Sequence, residues 1–127
     1  MQHAPGFLKI VEDAKVRVRE ITADDLIRRR EAGESILLID IREDREWKKG
    51  CLPAAVHCGK GVLERDIEGM CGETGRPIVL YCGGGFRSAL AADTLQRMGY
   101  SEVFSLAGGW REWNEAGRPV ESEPVWK

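Results

Sequence analysis

The segment YCGGGFRS, Tyr81 to Ser88, sets a cysteine ahead of three glycines, an aromatic, an arginine and a serine. A cysteine thiolate is a nucleophile. Glycines accept positive φ and allow a backbone to curl closely around a ligand. The peptide N–H groups of residues 83–88 are then able to face one point. Unpaired N–H groups at a helix start favour negative charge. Arg87 and Ser88 add further donors. The chemistry implied is nucleophilic attack by Cys82 on an anionic substrate held by Gly83, Gly84, Gly85, Phe86, Arg87 and Ser88. The competing interpretation is a glycine-rich turn around an inert core cysteine. A phosphate-binding Walker loop is excluded, because it needs a lysine before Ser/Thr and Phe86-Arg87-Ser88 has none.

The elements around this segment decide between cradle and turn. PIVLYC, Pro77 to Cys82, is a short apolar run suited to a strand buried on both faces, with proline at its start. Beyond the glycines, Ala91, Leu95 and Met98 form a helical stripe that Gly99 ends. Cys82 therefore lies at the carboxyl end of a strand with a helix following, where α/β proteins bind ligands. ILLID, Ile36 to Asp40, is a second buried strand, followed by a polar helical turn at about 44–49. LPAAVHC holds a short strand ending near Cys58, and VFSL, Val103 to Leu106, is another. Lys15 to Ile21 reads as a short edge strand. Helices are predicted over Phe7 to Ala14, from Thr22-x-x-Asp25 to about Glu31, over Gly61 to Met70, and in GGWREWNEAG. This order predicts an α/β fold: a central, mostly parallel sheet of four to five strands with helices on both faces.

The chain has 127 residues, the size of one domain, with 43% hydrophobic and 31% charged residues. A net charge of −2 gives no reason to expect nucleic acid or an anionic membrane surface as partner. No apolar run approaches the roughly 20 residues of a membrane span, and the N-terminus has no signal-peptide apolar region. Cys51, Cys58, Cys71 and Cys82 are spaced by seven, thirteen and eleven residues, without a C-x-x-C pair. That spacing disfavours a zinc knuckle or a thioredoxin-type redox motif and fits free thiols in a reducing, cytoplasmic setting.

Four segments, in order, resemble the single-domain rhodanese family. LLIDIREDREW resembles its Asp-x-Arg-x-x-x-Glu-aromatic segment. KGCLPAAVHC resembles its Gly-His-Ile-x-Gly-Ala-x-Asn/His segment. YCGGGFRSALAADTLQRMGY resembles its active-site loop and helix, and LAGGWREWNEAGRPV its Gly-Gly-Trp-x-x-Trp helix. The resemblance spans about Glu20 to Val120. It divides the chain into an N-terminal helical extension (1–19), a rhodanese domain (20–120) and a C-terminal tail (121–127). It implies a sulfurtransferase in which Cys82 takes a sulfane sulfur from thiosulfate or a related anionic persulfide donor. The sulfur then passes to cyanide or, in the cell, to a thiol acceptor. Neither a metal nor an organic cofactor is implied. The sequence departs from the family at Cys51, where histidine is usual, at Ala54, where glycine is usual, and at Cys58, commonly apolar.

Two other activities belong to this kind of loop. Cysteine phosphatases and arsenate reductases on the same fold use Cys-x5-Arg, whereas four residues separate Cys82 from Arg87 here. At about 3.5 Å of chain per residue, the missing one narrows the ring around the ligand. A rhodanese module that only binds is the third reading, and retention of Cys82 and Arg87 argues against it. Asp40 and Arg42 follow a buried strand and lie near the same end of the sheet; a structural ion pair is expected, with support of the loop as the functional alternative. Glu46 is assigned to the same scaffold. His57 is expected to be structural, Cys58 to be a poor candidate for a resolving thiol, and Cys51 and Cys71 to be packing or surface thiols. Trp110 and Trp113 are expected in the core, and Arg28-Arg29-Arg30 on a solvated helix end.

Overall fold

The computed structural model describes residues 2–122. Helix α1, Pro5–Lys15, opens with proline in its first turn, where no N–H partner is needed. After it come β1 (Arg19–Ile21), α2 (Ala23–Glu31), β2 (Leu37–Asp40), α3 (Asp44–Lys48) and β3 (Val56–His57). The chain continues through α4 (Lys60–Met70), β4 (Ile78–Tyr81), α5 (Phe86–Arg97), β5 (Val103–Leu106) and α6 (Gly109–Glu115). The start of α2 is capped by Thr22, whose Oγ1 accepts from the Asp25 N–H at 3.1 Å.

The five strands form one sheet in the order β1-β5-β4-β2-β3, and every pairing is parallel. β1 is an edge, as its length and mixed composition predict. The short strand expected in LPAAVHC is β3, two residues long, at the other edge. β4 is central and buried throughout. Its side chains alternate between two cores: Ile78 and Leu80 join Leu63, Ile67 and Leu95, while Val79 and Tyr81 join Leu26, Trp47 and Trp113. The helices therefore cover both faces of the sheet, α4 and α5 on one and α2, α3 and α6 on the other. α1 docks on α5 through Val11 and Ala14.

Within the C-terminal tail, Glu121 forms an antiparallel bridge with Cys51; 123–127 lie outside the described residues. No helix among the described residues is long and apolar enough to cross a membrane.

Candidate active site

A buried central strand delivers Cys82 to the carboxyl edge of the sheet, with 1% of the residue exposed. The next three glycines turn the chain into α5, which starts at Phe86, with Gly85 as its N-cap at φ +97°. Only glycine adopts that left-handed conformation without steric cost. The turn aims the Gly85 N–H at Cys82 Sγ, 3.2 Å away, and the Ser88 N–H donates to the same sulfur at 3.4 Å. Cys82 Sγ also meets Ser88 Oγ at 3.5 Å. Ser88 Oγ is in turn joined to Ser105 Oγ at 2.7 Å. Ser105 sits on β5 opposite Leu80, so the neighbouring strand fixes the serine beneath the thiol.

Arg87 is not a free anion receptor. Its Nη1 and Nη2 donate to the two carboxylate oxygens of Glu46 at 2.9 and 3.2 Å. This hydrogen bonding holds Arg87 above the ordinary guanidinium range; burial opposes the shift and the charge of Cys82 reinforces it. The Glu46 carboxyl is held below its usual range, chiefly by the Arg87 hydrogen bond. The N–H of Glu43 donates to Glu46 Oε1 at 3.1 Å, anchoring the acid at the first turn of α3.

The loop is braced from behind by α6. The Trp110 N–H donates to the Cys82 carbonyl and the Arg111 N–H to the Gly83 carbonyl, both at 2.9 Å. Gly109, at φ +50°, allows this approach; a Cβ there would overlap the Cys82 carbonyl oxygen. Arg111 consequently lies over Gly84, its Nη1 3.4 Å from where a Cβ would stand.

Asp40 and Arg42 bond to each other and to the scaffold. Asp40 Oδ1 accepts the Arg42 backbone N–H at 2.9 Å, and its carboxylate takes Arg42 Nε and Nη2. Arg42 Nη2 also reaches the Gly50 carbonyl at 2.7 Å. The Tyr81 hydroxyl donates to Asp40 Oδ2 at 2.7 Å and accepts the Leu52 N–H at 3.1 Å. Burial disfavours the Arg42 charge, but Asp40 outweighs it and holds the guanidinium above its ordinary range. Burial and the Asp40 charge push the Tyr81 phenol up.

His57 Nε2 bonds to the Arg42 carbonyl at 2.8 Å, and its ring stacks on Trp47 at 5.0 Å. Cys51, Cys58 and Cys71 are buried, and burial, reinforced by Asp66, pushes the Cys58 thiol up. Trp113 is buried while Trp110 is half-buried, with Arg42 over its ring at 4.7 Å. In the arginine run, Arg28 pairs with Asp25, Arg29 with Glu34 at 2.7 Å, and Arg30 donates to the Pro53 carbonyl.

Cys82 forms the floor of a cavity of about 400 Å³ walled by Gly83, Gly84, Phe86, Arg87, Arg45 and Arg111, with His3 and Phe7 from the N-terminal segment. A larger groove of about 770 Å³ shares Glu43, Arg45 and Arg87 with it but does not reach Cys82. The smaller cavity is the one that reaches Cys82. Sequence reasoning singled out Cys82 and its loop. It missed the Glu46–Arg87 pair, Ser105, Arg45, Arg111, His3 and Phe7 as neighbours of the site.

A parallel α/β sheet with a buried thiol facing two backbone N–H donors at the end of its central strand defines a cysteine-loop α/β protein. The chain belongs to the Rhodanese-like domain family, whose profile matches residues 22–116. It is 32% identical over 103 residues to a sulfurtransferase of Allochromatium vinosum, covering 81% of this chain and 94% of that protein. It is 38% identical over 108 residues to the HTH-type transcriptional regulator Rv0324 of Mycobacterium tuberculosis. That match covers 83% of this chain but 46% of the regulator, so the chain spans about half of that relative's length. A Rhodopseudomonas palustris protein of unknown function, described as a possible tyrosine phosphatase, has a similar structure. Its TM-score is 0.83 and its identity 33%, covering 95% of this chain and 98% of that one.

Proposed function

We propose that the protein is a sulfurtransferase that carries sulfane sulfur as a persulfide on Cys82. The observation that carries this reading is the sulfur's setting. Two N–H donors at 3.2 and 3.4 Å point at one atom inside a loop with four residues between cysteine and arginine. The Cys82 thiolate attacks the terminal sulfur of thiosulfate. The new S–S bond forms as the old one breaks, and its electron pair leaves with sulfite. Cys82 then holds a persulfide anion. A thiolate or cyanide acceptor attacks the outer sulfur, and the Cys82 thiolate leaves. The N–H groups of Gly85 and Ser88 face negative sulfur in both steps, which is how preorganised donors lower a barrier. Gly83, Gly84, Phe86 and Arg87 form the walls through which the donor arrives, while Asp40 and Arg42 hold the β2 end of the scaffold.

A second reading, hydrolysis of a phosphate monoester, is favoured by the likeness to the Rhodopseudomonas protein. Against it stand the short loop and Glu46, whose charge occupies the arginine that a phosphate dianion would need. Intact-mass spectrometry after thiosulfate treatment tests both. One added sulfur on the wild type and none on Cys82→Ser supports sulfur transfer. No adduct together with hydrolysis of p-nitrophenyl phosphate overturns it.

A further inference from the structure

Among the described residues, the buried charged and aliphatic hydroxyl side chains are Asp40, Arg42, Ser88 and Ser105. The first two pair with each other in the scaffold. The other two meet beside Cys82, and the sulfur-transfer steps use neither hydroxyl. Ser105 alternates with Phe104 and Leu106 on β5, so with Val103 it faces the apolar core that holds Leu80, Cys82, Ala92 and Leu95. A hydroxyl buried there without a partner is costly. Its partner is Ser88 Oγ at 2.7 Å, and Ser88 Oγ in turn lies 3.5 Å from Cys82 Sγ. Neither hydroxyl has a further hydrogen-bond partner among the described residues.

Each hydroxyl carries one hydrogen and two lone pairs. With a thiol at Cys82, the S–H and both O–H hydrogens share the two contacts Cys82–Ser88 and Ser88–Ser105, and one buried hydrogen is left without an acceptor. With a thiolate, the two O–H hydrogens fill the same two contacts. Ser105 then donates to Ser88 Oγ, and Ser88 donates to the sulfur. Donation into Ser88 polarises its O–H and strengthens the bond it gives. It also turns the Ser88 hydrogen toward the sulfur, because the side facing Ser105 is already occupied. The other titratable and charged groups around the cavity are Arg87 from α5, Glu43, Arg45 and Glu46 at the start of α3, Arg111 from α6 and His3 from the N-terminal segment. None of them bonds to either serine hydroxyl.

We infer that Ser105 is a positioning residue for the nucleophile. Through Ser88 it delivers a hydroxyl hydrogen to Cys82 when the sulfur is anionic. It thereby favours the thiolate that attacks the donor and that leaves when the acceptor takes the sulfur. The serines exchange no proton with Cys82; the thiol proton leaves to water through the cavity, and the two hydroxyls only turn. This inference deepens the Cys82 sulfur-transfer reading and rests on it.

The test compares Ser105→Thr with Ser105→Val in the full chain. The two side chains share a β-branched shape and differ in the hydroxyl, so packing strain is common to both. The measurement is the rate at which iodoacetamide alkylates Cys82, followed across pH by mass on the peptide that holds it. The midpoint of that profile is expected about half a pH unit to one unit higher in Ser105→Val than in Ser105→Thr. Persulfide formation from thiosulfate is then about threefold to tenfold slower in Ser105→Val below the midpoint. Above it both variants are fully ionised and the two rates converge, whereas packing damage alone would lower the rate at every pH. In a Ser88→Ala background the two substitutions give one midpoint, because the relay is cut. Ser105→Ala, which adds no volume, gives the same rise relative to the wild type and keeps the test open where the larger side chains do not fold. Equal midpoints with and without the hydroxyl, with persulfide still forming, overturn the relay and leave the sulfur-transfer reading standing. No persulfide on the wild type overturns that reading and, with it, the relay's place in the reaction.

Discussion

Arg87 and Glu46 stand 41 positions apart in the chain and share two hydrogen bonds, so the arginine of the cysteine loop is already neutralised. Removing the carboxylate charge adds one positive charge beside Cys82. Glu46→Gln is expected to raise kcat/KM for thiosulfate about threefold to tenfold, a moderate gain because solvent screens charges on partly exposed side chains. The gain shrinks as salt is added. Initial rates at two ionic strengths check this, and a fall in kcat/KM would show that Glu46 instead holds Arg87 in its working position.

The same pair gives a pH dependence of stability. Hydrogen bonding to Arg87 depresses the Glu46 carboxyl in the folded state. A depressed carboxyl adds stability that is present above its unfolded pKa, about 4.3, and lost as pH falls through the folded value. The wild type should therefore melt above Glu46→Gln at neutral pH, and the gap should close as pH drops below about 4. Melting curves of both proteins across that range decide it; a gap that holds to the lowest folded pH removes the linkage.

The architecture was legible because its signals are local. ILLID and PIVLYC are continuous apolar runs and became β2 and β4; Ala91, Leu95 and Met98 carry a helical period and lie on or cap α5. The short strand in LPAAVHC is present as β3, held to two residues because at the sheet edge Val56 and His57 pair with β2. Cys82 and its glycines were legible because one short segment holds the nucleophile, the turn and the helix start. The site's rim was not. Glu46 faces Arg87 only through the placement of α3, Ser105 lies under Ser88 only through strand register, and Arg111 covers Gly84 only through the close approach at Gly109. His3 and Phe7 reach the cavity through the docking of α1 on α5, which no period in the sequence encodes.

Asp40 compensates Arg42 inside the scaffold, where Arg42 is 3% exposed. Removing one partner of a buried pair leaves an uncompensated charge and costs about 3–5 kcal/mol. Asp40→Ala also takes an acceptor from the Tyr81 hydroxyl and from the Arg42 N–H. Its unfolding free energy, measured in urea, should fall by that amount. A loss under about 1 kcal/mol, the scale of an ordinary surface pair, would mean that the site admits water.

Ala54 stands where the family resemblance expects glycine, and its φ is +64°. A left-handed alanine costs about 1–2 kcal/mol, whereas glycine's extra unfolded-state entropy costs about 0.5–1 kcal/mol. Ala54→Gly is therefore expected to stabilise the protein by about 0.5–1 kcal/mol, read as a rise in Tm with persulfide formation retained. Glu121 Oε1 accepts the Ala54 N–H at 2.9 Å, and this bond survives the change because residue 54 contributes only its backbone N–H to it. A lowered Tm would refute the strain.

Gly109 sets the distance between α6 and the cysteine loop. A methyl group there would overlap the Cys82 carbonyl oxygen and stand 3.0 Å from the Gly83 carbonyl oxygen, and both are backbone atoms with no rotamer to change. Gly109→Ala must therefore move α6 or the loop, stretching the bonds from the Trp110 and Arg111 N–H groups. A displacement of that kind moves the Gly85 and Ser88 N–H groups relative to the sulfur, and small misplacements cost rate steeply. The expected result is at least about a tenfold loss in the rate of Cys82 persulfide formation, together with about 2–3 kcal/mol of stability. Gly108→Ala is the matched comparison. Its φ of +76° carries the same left-handed penalty, but the added methyl meets the flexible Glu112 side chain rather than the loop backbone. It should lose stability of about 1–2 kcal/mol with a much smaller loss of rate. Single-turnover rates and urea midpoints of the two variants separate strain from displacement, and equal rates would show that the loop keeps its shape without the brace of α6.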